Sequence, residues 1–238
     1  MGKLLIIKTG STYESVIKKY GDYESMITEG IGISSEDTEV IPVYRNARPY
    51  IHEGISSIII TGSSAMVTDM EPWCVFTANW LNEIIHKKIP ILGICFGHQL
   101  LAKALGGSVD YHPKGQEYGE VKIQLAEEGR KDPVLGILPS EFSGYVAHSQ
   151  TVTRLPENTR VLARNDFESS HALAFGDNIW GVQFHPEFNA GIAKIHIDEE
   201  KDELLKNGQD ISKLYASIQG NPYGPMLLKR FFEISNLR

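Results

Sequence analysis

Ile91-Leu92-Gly93-Ile94-Cys95-Phe96-Gly97-His98-Gln99-Leu100 decides how the rest of the chain is read. Lys87-Lys88-Ile89-Pro90 ends a helical segment ahead of it, and Ile91 to Ile94 is short, apolar and strand-like. From His98 to Leu105 the apolar residues recur at helical spacing. Between strand and helix, Gly93-Ile94-Cys95-Phe96-Gly97 places a glycine two residues before a cysteine and another two after it. This is a strand-to-helix elbow of the G-x-S-x-G kind with cysteine in the nucleophile position. Glycines there let strand and helix approach closely around a strained turn, and the spacing predicts a side chain exposed at the sheet edge. A buried cysteine is ordinarily a small hydrophobe, but the flanking glycines make Cys95 a candidate nucleophile.

Outward from the elbow, the N-terminal half alternates strand and helix. Leu4 to Ile7 and Ser57 to Ile60 are continuous apolar runs, suited to parallel strands covered on both faces. Val40-Ile41-Pro42-Val43 carries a proline and reads as an edge strand. Glu14 to Tyr20 predicts a helix with an extension to Met26 after a break, and Gly30 to Asp37 predicts a loop. Pro72 to His86 carries Trp73, Phe76, Trp80 and Ile84 at helical spacing, a core face. Beyond Gly106-Gly107 the period changes to that of strands, at 108–111, 119–123, 144–148, 161–164, 171–175 and 179–184. Residues 190–238 return to helix. The expected fold is α/β: an open, mostly parallel, flavodoxin-like sheet flanked by helices, with a small antiparallel patch and C-terminal helices. No repeat or linker marks a second unit, so residues 1–238 are expected to form one domain with a helical extension from about 190.

Of 238 residues, 42% are hydrophobic and 22% charged, as in ordinary globular proteins. A formal charge of −7 with no basic cluster argues against nucleic acid as the main partner. No apolar stretch is long enough to cross a bilayer, and the N-terminal run is too short for a signal peptide. Two cysteines, Cys74 and Cys95, imply no disulfide framework, so the expected compartment is the cytoplasm. Cys74 reads as core packing beside Trp73, and the histidines lack the spacing of a metal site.

A cysteine nucleophile needs a base, and the base needs an orienting group. Most of the eight histidines read as surface or turn residues. His185 ends a strand and is followed by Pro186, which stops the ladder, and by Glu187. That carboxylate can take one ring nitrogen and leave the other facing the sulfur. For the developing oxyanion, the strand before the elbow ends in Thr61-Gly62-Ser63-Ser64, so a backbone N–H of Gly62 or Ser63 together with that of Phe96 would form the hole.

Gly-Ile-Cys-Phe-Gly-His-Gln at 93–99 and Gly-Val-Gln-Phe-His-Pro-Glu at 181–187 resemble the two signatures of class I (triad) glutamine amidotransferases. The resemblance runs in order from Leu4 to about Phe188. It implies an amidase acting on the γ-carboxamide of L-glutamine through a γ-glutamyl thioester and releasing ammonia. It makes Cys95 the nucleophile, His185 the general acid/base and Glu187 its orienter. Gln99 and the segment His148-Ser149-Gln150 match positions that hold the amino-acid end of glutamine. No cofactor and no metal are implied.

Glu117-Tyr118-Gly119 is similar to a segment of the guanylate-synthase branch, but Gly62-Ser63-Ser64 stands where those enzymes carry Gly-Gly-Pro. Tyr20-Gly21-Asp22 with Thr61-Gly62-Ser63 looks more like the stand-alone, guanylate-synthase-like group, which includes γ-glutamyl peptidases. No Ser-Gly-Gly phosphate loop of an ATP pyrophosphatase occurs, so ammonia used in a synthesis would go to a synthetase on another polypeptide. A γ-glutamyl hydrolase acting on a larger compound is the alternative reading. A non-catalytic binding protein is the third, against which the intact Cys95, His185 and Glu187 count.

Overall fold

The long apolar runs become the inner strands of one sheet. In the computed structural model, which describes residues 2–236, β1 (Lys3–Lys8) is followed by helices α1 (Glu14–Tyr20) and α2 (Tyr23–Ile31). Strands β2 (Thr38–Pro42) and β3 (Ile55–Ile60), helix α3 (Pro72–Ile84), strand β4 (Ile91–Ile94) and helix α4 (Phe96–Ala104) come next. The middle of the chain supplies β5 (Ser108–Tyr111), β6 (Glu117–Leu125), the short α5 (Glu127–Lys131), β7 (Glu141–His148), β8 (Gln150–Arg154), β9 (Arg160–Arg164), β10 (Ala172–Ala174) and β11 (Ile179–Val182). Four helices follow: α6 (Ala190–Glu199), α7 (Lys201–Lys206), α8 (Ile211–Ser217) and α9 (Tyr223–Asn236). Residues 1, 237 and 238 of the expected 1–238 domain lie outside the described residues.

The main sheet has nine strands in the order β2-β1-β3-β4-β11-β10-β9-β6-β7. Ladders from β2 to β11 are parallel, with Ile58 opposite Ile91 and Gly181 opposite Gly93. From β11 onward they are antiparallel, so the hairpin-like strands of the second half prolong the same sheet. A separate two-stranded antiparallel sheet pairs β5 with β8, a strand absent from the sequence expectation. Ile6, Ile59, Leu92 and Ile94 pack on one side of the sheet with α2 and α9 residues such as Ile27 and Phe231. Leu5, Ile58, Ile60 and Ile91 pack on the other with α3 and α4 residues such as Trp80 and Leu101. Covered on both faces, these strands need no polar alternation. β2 is an edge strand, which tolerates Pro42 at its end.

Among the boundaries that differ from the sequence reading, two have a clear local reason. α2 runs through Gly30 to Ile31 and stops at Gly32, whose φ of 83° is the left-handed C-cap. Gly30 is a close-approach residue: a Cβ there would lie 2.8 Å from Leu228 of α9. Helix α4 begins at Phe96, two residues earlier than its apolar spacing indicates, because the chain turns at Cys95 itself.

Candidate active site

The carboxyl ends of β1, β3, β4 and β11 share one edge of the sheet, and a cavity of about 250 Å³ opens there. Cys95 joins β4 to α4 with φ 48° and ψ −100°, a conformation that L-residues avoid. What holds it is contact between backbones. A Cβ on Gly93 would lie 2.5 Å from the Gly97 carbonyl group, and one on Gly97 would lie 2.5 Å from the Ile60 carbonyl oxygen. The sulfur lies on the cavity wall, and the residue is only 6% exposed. The expected exposed position at the sheet edge is therefore corrected to a recessed one, because the loop after β3 and the C-terminal helices build up around it.

His185 follows β11 and is buried in the same cavity. Its Nδ1 lies 2.8 Å from Glu187 Oε1, and the Cys95 sulfur shares the cavity wall with the ring. Burial, the largest influence, pushes this imidazole down. The Glu187 carboxylate and then the Cys95 sulfur outweigh it and hold the ring pKa up at about 10. Phe188 stacks on the ring at 4.2 Å between centroids, and Tyr23 lies nearly parallel to it at 6.4 Å. A Cβ on Gly62 would come within 2.8 Å of His185 Cε1, so only glycine lets β3 end this close to the imidazole.

The segment Thr61–Ser64 is stitched to the end of β1. Thr9 Oγ1 lies 2.9 Å from both Thr61 O and Gly62 O, and Thr61 Oγ1 donates to Gly62 O at 2.9 Å. Ser63 Oγ donates to Thr9 O at 2.9 Å and accepts from Ala65 N. In a trans peptide the N–H points opposite to the carbonyl. With Gly62 O turned into the threonine pair, the Ser63 N–H is turned away from it, and Ser63 lines the cavity. Phe96, first residue of α4, offers an N–H that no intrahelical carbonyl takes up.

Gln99, His148, Ser149 and Gln150 all line the cavity, as does Phe96, whereas Gly62 and Glu187 stand behind His185. The glutamines are largely occupied by the protein. Gln99 Nε2 donates to Gln150 O and Gln183 Oε1, each at 2.9 Å, while Gln150 Oε1 accepts from Val67 N. Gln183, given no role from sequence, donates from Nε2 to Cys95 Sγ at 3.5 Å.

A buried polar cluster lies behind His148. Glu117 contacts His148 Nε2 at 3.1 Å, His171 Nε2 at 3.2 Å and Asn165 Nδ2 at 2.8 Å. Burial would raise the Glu117 carboxyl, but the His148 and His171 contacts keep it well below the usual range. Most histidines read from the sequence as surface or turn residues; His112 does open the turn to Gly115, but His98, His148, His171 and His196 are buried in the interior. Cys74 is buried in α3, where burial and then Glu71 raise its thiol to about 11, so it stays protonated.

The class I glutamine amidotransferase family model matches residues 15–201. The chain belongs to the class I glutamine amidotransferase family. It is 34% identical over 205 residues to a GMP synthase [glutamine-hydrolyzing] of Borreliella burgdorferi, covering 86% of this amidotransferase but only 35% of the relative. It is 32% identical over 201 residues to a GMP synthase [glutamine-hydrolyzing] subunit of Methanosarcina barkeri, covering 84% of this chain and 96% of that one. The amidotransferase thus spans about a third of the longer relative and nearly all of the shorter. A crystal structure of a glutamine amidotransferase from Thermotoga maritima superposes with a TM-score of 0.78 at 21% identity, over 99% of this chain and 98% of that one. At that identity the likeness establishes the shared fold.

Several wall residues of this amidotransferase carried no sequence signal. Thr12, Tyr13, Tyr23, His196 and Glu200 line the cavity, yet they come from the β1–α1 loop, α2 and the end of α6, outside both signatures. Tyr118, by contrast, lay in a segment already singled out; β6 turns it into the cavity while its neighbour Glu117 faces the histidine cluster.

Proposed function

We propose that this amidotransferase hydrolyses the γ-carboxamide of L-glutamine with Cys95 as nucleophile, His185 as general acid/base and Glu187 as its orienter. The reading is carried by one arrangement: Cys95 in a strained turn beside an imidazole whose far nitrogen is 2.8 Å from a buried carboxylate. The sulfur attacks the γ-carbon while the Ser63 and Phe96 N–H groups face the oxyanion. His185 gives its proton to the nitrogen as the C–N bond breaks and ammonia leaves. Water then attacks the thioester carbon, returns a proton to His185 and releases glutamate. Gln99, His148, Ser149 and Gln150 form the part of the wall assigned to the amino-acid end of glutamine.

The finer reading is that residues 1–238 act as one domain in the cytoplasm, with ammonia passing to a separate synthetase. The similar length of the Methanosarcina relative, itself named as one subunit of a synthase, supports a separate partner. No described helix is long and apolar enough to cross a membrane. Ammonia release from glutamine by the purified chain tests the hydrolysis. A glutamine-like electrophile should label Cys95 stoichiometrically. Labelling of Cys74 with Cys95 untouched would overturn the assignment.

A further inference from the structure

The cavity wall falls into two groups of residues that hold one another. Gln99 and Gln150 are hydrogen-bonded together, and Ser149 reaches Met66. A second group adjoins the imidazole. His196 packs on Phe188 at 4.6 Å between centroids, and Phe188 in turn stacks on His185. The rings of Tyr13 and His196 meet edge to face at 5.0 Å between centroids, Thr12 Oγ1 lies 3.1 Å from His196 Nε2, and the Tyr13 hydroxyl donates to Glu200. All but Phe188 line the cavity. The space beside the proposed general acid is therefore a lobe with an aromatic wall that ends in a carboxylate.

When a γ-glutamyl amide is cleaved at Cys95, the departing nitrogen takes its proton from His185. Whatever that nitrogen carries must lie in the lobe adjoining the imidazole. Ammonia carries nothing and leaves the lobe unfilled. We propose that this lobe binds the leaving group of γ-glutamyl amides larger than glutamine, and that it selects amines bearing a second, cationic nitrogen. The assignment rests on the Cys95–His185 hydrolysis proposed above and names its leaving group.

The charge of the lining sets that preference. Among the described residues no lysine or arginine lines the cavity, and Glu200 is the one carboxylate on its wall. One Glu200 oxygen takes the Tyr13 hydroxyl, which leaves the other for a ligand. Tyr13 and Tyr118 add aromatic rings to the wall, a composition that suits a cation. His196 stays neutral, since burial and then the charge of His185 lower its pKa to about 3. A leaving group ending in a carboxylate, such as an α-amino acid, would meet Glu200, and the one cation on the wall, His185, is already paired with Glu187. In the cleavage the sulfur adds to the carbonyl carbon, the C–N bond then breaks as the His185 proton passes to the amine, and water hydrolyses the thioester to glutamate.

Four γ-glutamyl amides test this: L-glutamine itself, and the amides of 1,4-diaminobutane, butylamine and 4-aminobutyrate, which differ mainly in terminal charge. Expected kcat/KM falls from the diamine to butylamine to aminobutyrate, with the diamine amide at least about tenfold above glutamine and aminobutyrate. Glu200→Gln should shrink the diamine-to-butylamine ratio by about tenfold, since a half-buried carboxylate discriminates by charge. If Glu200→Gln does not fold, the wild-type ranking decides. Cleavage of glutamine alone, equal rates for the three tails, or an unchanged ratio in Glu200→Gln would overturn the lobe assignment and leave the triad standing. Cleavage of none of the four would overturn both.

Discussion

Two neighbouring turns aim groups into the same cavity, and they are built by opposite means. The elbow at Cys95 is strained, with φ 48°, and is clamped by backbone contacts of Gly93 and Gly97. The Thr61–Ser64 turn has no residue with positive φ, and it is held by hydroxyls of Thr9, Thr61 and Ser63. A steric clamp fixes one atom, here a sulfur, at a conformational cost of about 1–3 kcal/mol. A hydrogen-bonded stitch fixes the direction of a peptide plane without strain, and it can be undone one hydroxyl at a time.

Cys95→Gly gives the sharpest break between the two. Glycine adopts the elbow's angles freely, so the variant should be more stable by about 1 kcal/mol, read by urea unfolding. Ammonia release should fall by at least about 10⁴-fold with the nucleophile gone. Loss of stability instead would mean that the elbow stores no strain.

Glu187→Gln probes the imidazole that the two turns serve. Turnover should drop by about 10³-fold as the ring loses its orienting acceptor. In the native protein the His185 pKa is raised from 6.5 to about 10. Protonation of His185 therefore stabilises the fold fully below about pH 6.5, and the contribution is lost as pH rises through about 10. Without the carboxylate, burial pulls the ring down, so the wild-type advantage in stability should be large at pH 6 and shrink towards pH 10.5. An NMR titration of His185 that is the same in both proteins would remove Glu187 from this role.

How much of this the sequence carried follows from the same contrast. The elbow is local: every clamp residue but Ile60 lies within 93–98, so its spacing is legible without a structure. Glu187 is two residues from His185 and is legible for the same reason. The stitch joins Thr9 to a segment 52 residues away, and threonine at a strand end is too common to flag it. The second lobe draws on residues 12–13 and 196–200, whose approach depends on how α1 and α6 pack. The buried histidines were misread because their partners, such as Glu117 for His148 and His171, lie on other strands. The order of the sheet's second half was likewise hidden: strands with alternating patterns show that they pair, but not that they extend a parallel sheet.

Thr9→Val removes one of the hydroxyls that turn Gly62 O away from the cavity. Both carbonyls it serves are buried, so the loss should cost about 1–2 kcal/mol in stability. Turnover should fall by about tenfold, since the Ser63 N–H loses part of its aim. A change in stability with no change in turnover would separate the stitch from oxyanion binding.

Ser63→Gly should have the smallest effect, and it tests whether this turn has one state or two. A glycine here gives the peptide freedom to flip, and if flipping were needed for turnover the serine would be a brake. Yet Ser63 is not held at positive φ, so glycine relieves no strain. The direction of the Gly62–Ser63 peptide is set by Thr9 and Thr61, which the substitution leaves in place. What disappears is the half-buried Ser63 Oγ, with its link to Thr9 O and the bond it accepts from Ala65 N. Turnover should therefore change less than about tenfold, and adding a synthetase should not raise it much, because the peptide already stands in its working direction. In a Thr9→Val background the same change should cost more than it does alone, since the two links hold one peptide. A large rise in glutaminase activity on Ser63→Gly alone would mean that the stitched state is the resting one, and that the oxyanion donor reaches its place only when the stitch opens.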